Sequence, residues 1–468
     1  MQKVVLAACL FFLSAQVSQA QADRFVHYDC MAGFDTPQSG SMKAPRRLSE
    51  FVTQWDSART YPVAVVLLTF SDREFSMDDP VDRYNRIFNE KGYNEGKGAG
   101  CVADYFATQS GGLFKPRFDV MGPYKLKKAS TKYDTYGRNA FREAMQFIAD
   151  STSTDFSIYD WDGDGSAEPV VFVYAGFGGN EVAHAGQGYI WPNTSSMSST
   201  VVGDTRVAAF SASSEMWSSE RLCGVGTVCH EFAHTLGLPD LYPVNDSDDE
   251  FSVCDEWDLM DGGNYTNNGW GPPNFSALEK MLLGWATPVE LTEPTVVTGM
   301  KSVAQQGTVY KINTTDKDEF FLLENRQWEG WDLRSPGHGL LIAHVHYSKP
   351  AWNGNSVNIV TKHHRYDLVH ADNRDYNAWE SIIGYSNPYK SGHSQFLSGT
   401  AYPYVTDSTT TNNALTDTTV PAATTFTGSG LLSKPITNIT EDADGTISFT
   451  FMADVHDAIT TLADGDEA

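Results

Sequence analysis

His230, Glu231 and His234, in the stretch TVCHEFAHTLGLPDLY (227–242), are the residues of this chain best suited to chemistry. Four positions apart on a helix, the two imidazoles project from one face and can reach the same metal ion, zinc being the usual occupant of such a pair. Glu231 is turned by about 100° from His230, so it is poorly placed to join the ligands but can reach a water in the metal's open position. A metal that lowers the pKa of water toward about 7, beside a carboxylate that takes its proton, is what amide hydrolysis requires. Glu231 would be the general base and then the acid that protonates the leaving amine.

Two histidines leave zinc short of ligands. Gly237 can enter the left-handed region at little cost and so lets the helix stop, and Pro239 disfavours its continuation. The redirected chain brings Asp240 within reach as a third ligand, with water in the fourth position. The plainer alternative is a turn aspartate after Gly-x-Pro, behind two partly buried helix histidines. The joint offsets of Gly237 and Asp240 favour the metal reading.

A second acidic group stands in DWDGDGSAE, where Asp160, Asp162 and Asp164 alternate, Gly165 permits a sharp turn and Glu168 takes the ninth position. This resembles the start of a calcium loop, but Val171 stands where a complete loop of that kind has glutamate. A calcium site made by these four residues competes with a solvated acidic turn. Glu215 precedes the zinc helix, and a structural role suits it better than substrate or cation binding. Tyr265 could stabilise an oxyanion through its hydroxyl.

These residues need a scaffold. YPVAVVLLTFSD (61–72) is an apolar run of strand length, expected to be buried on both faces. CVADYFATQSGG reads as a helix ending at Gly111-Gly112, and LFKPRFDVMGPYKL as a strand pair around a Gly-Pro turn. NAFREAMQFIAD (139–150) is an amphipathic helix burying Phe141, Ala144, Met145 and Ile148. The strand VVFVYAGFG follows, then the metal helix, then NFSALEKMLLGW (274–285) as the closing helix. Strand, helix and strand in this order predict an α/β (α+β) catalytic domain over 61–290. From 291 to 468 alternating Val, Tyr, Ile, Thr and Phe predict a mainly antiparallel β domain, with 404–424 as a long loop. The histidines at 338, 344, 346, 363, 364 and 370 lack a carboxylate at recognisable spacing and are read as core or substrate-facing.

The 468 residues allow two or three compact units, and the formal net charge of -26 argues against nucleic acid or an anionic membrane surface as partner. Residues 1–22 have the positive start, apolar run and small-residue ending of a removed export signal, and 23–60 read as an N-terminal arm or prosegment. No other stretch is long and apolar enough to span a bilayer. Without Cys9 the exported chain keeps Cys30, Cys101, Cys223, Cys229 and Cys254, an odd number. A disulfide among the three near the metal helix would suit export, and Cys30 could block the metal in a zymogen, though an inert or paired thiol is commoner.

HEFAHTLGLPD is similar to the extended zinc signature of the metzincin proteases, and EWDLMDGGNY (256–265) resembles the methionine-containing turn of that clan. The ordered series VVLLTFSD, GCVADYFATQSGGLFKPRFDVMGPY, DWDGDGSAEPVVFVYAG, WDLMDGGNY, LEKMLLGW, EFFLLENRQ and GLLIAHVHY is similar to the immune inhibitor A-like family of bacterial secreted metallopeptidases. The resemblance implies a metzincin-like catalytic domain, zinc on His230, His234 and Asp240, catalysis by Glu231, and Met260 as an apolar floor under the site. An anionic third ligand would make zinc a weaker Lewis acid than three imidazoles do.

The expectation is a secreted or extracytoplasmic bacterial zinc endopeptidase acting on protein or peptide substrates. A catalytically silent adhesin or glycan-binding protein on the same fold would lack a ligand or the base, and none is lacking. A purely structural zinc would take four protein ligands and leave no base beside an open position.

Overall fold

The computed structural model describes residues 55–180, 186–218, 221–244, 253–360, 362–374, 397–406, 409–453 and 460–463. The expected export signal, most of the arm and Cys30 lie outside the described residues.

Strand β1 (Tyr61–Thr69) shows how an all-apolar run builds three layers. Successive side chains alternate between faces. Tyr61, Val63, Val65 and Leu67 enter one core, and Ala64, Val66 and Leu68 enter another on the opposite side of the sheet. β3 (Val170–Phe177) divides likewise, Val171 and Val173 from Val170, Phe172 and Tyr174. With β2 (Pro116–Lys125), β4 (Asn193–Val202), β5 (Thr205–Ser218) and the short β6 (Arg221–Leu222), the sheet runs β2-β1-β3-β5-β4, and β6 pairs with β5. The pairings are parallel except β4–β5 and β5–β6, which are antiparallel. The pair of strands expected around Gly122-Pro123 is instead one strand. β2 continues through both residues, and its pairing with β1 absorbs an irregularity between Val66 and Leu68.

Helices α1 (Pro80–Asn89) and α2 (Val102–Gln109) cover one face of the sheet together with the metal helix, and α3 (Arg138–Ser151) covers the other. The buried side of α3 is the expected one, with Phe141, Ala144, Met145 and Ile148, and Ala140 beside them. α2 starts from a capping box in which Cys101 Sγ and Asp104 accept each other's backbone N–H. It ends at Gln109, two residues before the glycine pair.

All ten residues of α4 (Gly226–Thr235), the helix that carries His230, Glu231 and His234, are buried. Val228, Cys229, Phe232 and Ala233 pack in the core that β1 and β3 share. α5 (Ala277–Leu282) is shorter than the sequence suggests and begins at a capping box of Ser276 and Glu279.

The remaining strands are β7 (Val289–Glu290), β8 (Thr295–Met300), β9 (Tyr310–Asn313), β10 (Glu319–Arg326), β11 (Gly339–His346), β12 (Tyr366–Leu368), β13 (Tyr404–Thr406), β14 (Thr409–Asn412), β15 (Ile436–Glu441), β16 (Ile447–Phe451) and β17 (Thr460–Ala463). A short helix, α6 (Lys349–Asn353), follows β11. They form the sheets β12-β11-β10-β9-β7 and β15-β16-β8-β17, antiparallel except for the β7–β9 and β17–β8 pairs. The expected loop at 404–424 contains the β13–β14 hairpin.

The change of texture near 290 does not interrupt packing. On β10, Phe320 and Leu322 join the core of the metal helix, whereas Phe321 and Leu323 face the core of the C-terminal sheets. β11 divides in the same way, with Leu341, Ala343 and Val345 on the helix side.

Candidate metal centre

α4 closes with tight bonds from the Leu236 and Gly237 amides to Ala233 and His234. Gly237 takes φ of 102°, where a side chain would be strained, and redirects the chain into Leu238-Pro239-Asp240. The Leu241 amide then donates to the Met260 carbonyl at 2.8 Å.

This path brings three donor atoms together. The Nε2 atoms of His230 and His234 lie 3.1 Å apart, and Asp240 Oδ1 lies 3.2 Å from the first and 3.1 Å from the second. All three residues are buried. The opposite ring nitrogens fix the tautomers, His230 Nδ1 at 2.8 Å from the Leu259 carbonyl and His234 Nδ1 at 2.7 Å from that of Leu238. A carbonyl can only accept, so each Nδ1 carries the hydrogen and each neutral ring turns the Nε2 lone pair inward. Two lone pairs and a carboxylate oxygen pressed together repel unless a cation lies among them. Bonds of about 2.0–2.1 Å to a tetrahedral zinc place ligand atoms about 3.3–3.4 Å apart, close to the triangle found here. The donor set therefore fits zinc.

Glu231 is buried and held by Thr194 of β4, whose hydroxyl lies 2.5 Å from the Glu231 carbonyl and 3.0 Å from Oε2. The hydroxyl can place its hydrogen on either oxygen. Met260 is fully buried. Its turn acts on the site through backbone, the Leu259 carbonyl orienting His230 and the Met260 carbonyl fixing Leu241. The turn itself is pinned by Asp258, whose Oδ1 accepts the Met260 amide at 2.8 Å.

The other residues singled out from the sequence are held by partners of their own. Asp160, Asp162 and Asp164 bring carboxylate oxygens within 4.8 Å of one another. Each accepts amides of the loop itself, Asp160 from Gly163, Asp164 and Gly165. Glu168 is drawn inward and accepts the Trp161 amide at 2.5 Å, so it stands outside that group. Glu215 joins loop to sheet, accepting from the Ser76 amide and hydroxyl and from the Gly176 amide at 2.7, 2.6 and 2.9 Å. Tyr265 packs its ring on Trp217 at 5.1 Å and accepts from Asn180.

Cys101, Cys223, Cys229 and Cys254 are separate buried thiols, so the disulfide expected near the metal helix is not formed among the described residues. Burial pushes Cys101 up to about 12 and Cys229 and Cys254 well above the ordinary thiol range, which disfavours thiolate ligation.

In the C-terminal sheets His344 pairs with Glu319 at 2.8 Å and His338 with Glu441 at 2.7 Å. His346 bonds His363 at 2.8 Å, and His363 stacks on Phe426. His364 pairs with Asp367, and His370 with Thr400. Among the described residues these histidines form no three-ligand metal group; His370 is buried and the other five are half-buried.

Sequence reasoning missed Thr194, Asp258 and Asn355, whose side chain brackets Asp240. Thr194 and Asn355 are polar residues whose partners are brought in by folding, and nothing in their local sequence marks them; Asp258 stands inside the methionine-turn segment, two residues before the Met260 amide it accepts, and that motif was the signal that could have found it.

Residues 63–285 match the family model of the immune inhibitor A peptidase M6 catalytic domain. The chain is also 24% identical over 300 residues to the pre-pro-metalloprotease PrtV of Vibrio cholerae serotype O1, in strain M66-2 and in strain ATCC 39315 / El Tor Inaba N16961. The match covers 52% of this chain and 31% of those proteins, so the chain spans about a third of the length of these relatives. Residues 63–285, the span that matches the immune inhibitor A peptidase M6 catalytic domain, hold the whole His230-Glu231-His234-Asp240 constellation.

Proposed function

We propose that this protein is a zinc metallopeptidase that cleaves protein or peptide substrates, with His230, His234 and Asp240 as ligands and Glu231 as general base. The observation that carries the reading is the convergence of two tautomer-fixed Nε2 atoms and Asp240 Oδ1 within 3.1–3.2 Å of one another. When bound, zinc supplies a Lewis acid and lowers the pKa of water toward about 7. Glu231, on the same helix and steadied by Thr194, takes the proton from the attacking water and passes it to the leaving amine. The buried ligands and the Met260 turn keep the rings from reorienting, so little rearrangement is needed during the reaction.

Secretion by the signal read in residues 1–22, with 23–60 as an arm or prosegment, completes the proposal. Asp160, Asp162 and Asp164 are its candidate calcium ligands, and calcium titration of the purified protein decides between an ion there and a loop held by its own amides. The central test is cleavage of casein or gelatin by purified protein with zinc. Activity is expected to vanish on chelation, return with zinc and be absent in Glu231→Ala. Cleavage that survives Glu231→Ala refutes the proposal, as does no cleavage by any zinc-loaded form of the chain.

A further inference from the structure

Asp240 can offer a metal either oxygen of its carboxylate, and a free aspartate would sample both. Here the choice is made by Asn355, 115 residues away and beyond the family match at 63–285. Its Oδ1 accepts the Asp240 amide at 2.7 Å, and its Nδ2 donates to Asp240 Oδ2 at 2.7 Å. One planar amide thus grips the backbone and the side chain of the same residue and leaves Oδ1 facing His230 and His234.

Asn355 is itself strongly placed. It is 4% exposed and sits just past α6 at φ of 50°, a left-handed conformation that asparagine tolerates better than most residues. The helix ahead of it is anchored by buried Ala351 and Trp352 in the core that also holds α4. Three residues on, Asn358 uses both amide hydrogens and its oxygen: Nδ2 donates to the Leu241 and Tyr366 carbonyls, and Oδ1 accepts the Arg365 and Tyr366 amides. The segment after α4 is therefore held on one side by the Met260 turn and on the other by residues 355–358.

We infer that Asn355 is a positioning residue for the metal, selecting Oδ1 of Asp240 as the ligand oxygen and making the C-terminal region part of the metal centre. This rests on the metallopeptidase reading only in so far as Asp240 binds metal. Hydrogen bonds to ligating side chains set their orientation, and losing one commonly costs about 10- to 100-fold in metal affinity. With the clamp gone, Oδ2 is free to turn toward the ion and the carboxylate can become bidentate.

The test uses the full chain and two variants that tolerate the left-handed backbone. Asn355→Gly removes the amide, while Asn355→Asp keeps an acceptor for the Asp240 amide but sets a carboxylate against Oδ2. Zinc affinity is measured by competition with a chromophoric chelator, and ligand geometry by the visible spectrum of the cobalt-substituted protein. Thermal melting of the metal-free forms establishes that each is folded. Both variants are expected to lose about 10- to 100-fold in zinc affinity, with Asn355→Asp at least as weak as Asn355→Gly, and to show weaker, shifted cobalt bands from a higher coordination number. If either folded variant binds zinc as tightly as wild type with the same cobalt spectrum, the inference falls while the zinc site stands. If the wild-type chain binds no zinc, the proposed function falls and the inference with it.

Discussion

Replacing Arg326 with methionine should loosen the platform beneath the metal. Arg326 is fully buried on β10 and spends its guanidinium on five acceptors. Nε and Nη2 reach the two oxygens of Asp332 at 2.7 and 2.5 Å, Nη1 reaches Glu324 at 3.1 Å, and Nη2 also lies 3.3 and 3.2 Å from the Trp257 and Asn274 carbonyls. Trp257 immediately precedes the Asp258–Met260 turn, and Glu324 and Asp332 accept the amides of Ala277 and Asn274. Methionine fills much of the same volume but leaves two buried carboxylates without their cation, a change that costs about 3–5 kcal/mol where it has been measured.

The pH dependence follows from the same contacts. Burial pushes Asp332 up, but Arg326 and Asn274 hold it below the ordinary carboxylate range, so its stabilisation is present above about pH 4 and is lost as pH falls through its lowered value. In Arg326→Met burial prevails and raises the Asp332 pKa, so the variant loses stability as pH rises instead. The deficit should therefore be largest near neutral pH and shrink toward pH 4–5. Urea unfolding followed by tryptophan fluorescence, with metal removed by chelator, reads it directly, since Trp257 lies beside the guanidinium. A deficit below about 0.5 kcal/mol at pH 7, the size of an ordinary surface substitution, or one that grows on acidification, refutes the reasoning.

Two further outcomes are expected. Thr194→Val keeps shape but removes the hydroxyl beside Glu231, and should lower kcat/KM about 5- to 150-fold, the equivalent of about 1–3 kcal/mol, with zinc content unchanged; loss of zinc by this variant would show that Thr194 acts on the ligands and not on the base. Asp258 and Glu279 share a hydrogen bond and are both pushed up by burial, so the stability linked to their proton is present at acid pH and lost as pH rises. Asp258→Asn supplies that hydrogen permanently while its oxygen still accepts from Met260, and should flatten the fall in melting temperature between about pH 5 and 8. An unchanged slope would mean that the pair does not hold the proton.

The layers of the catalytic region could be read from residue order because the rules are local. An apolar nine-residue strand such as β1 has no polar face to give to water, so both faces must be covered. The amphipathic period of α3 named its buried side before any partner was known. Where local signals compete, the reading slipped. Gly122-Pro123 has the composition of a turn, yet pairing with β1 beside it carries the chain straight on as one strand. The polar stretch after Tyr404 looked like loop, yet its threonines pair as a hairpin.

The candidate site divides along the same line. Sequence alone determined what covalent spacing can determine: His230 and His234 on one helix face, Glu231 off to the side, and Gly237 to turn the chain so that Asp240 comes back. Tertiary structure decided what no spacing encodes. It chose which ring nitrogen carries hydrogen, through the Leu259 and Leu238 carbonyls, and which oxygen of Asp240 faces inward, through Asn355. It also brought Thr194 from an edge strand to Glu231. Those choices depend on buried hydrogen bonds between residues as many as 115 positions apart, and such partners exist only after the chain has packed.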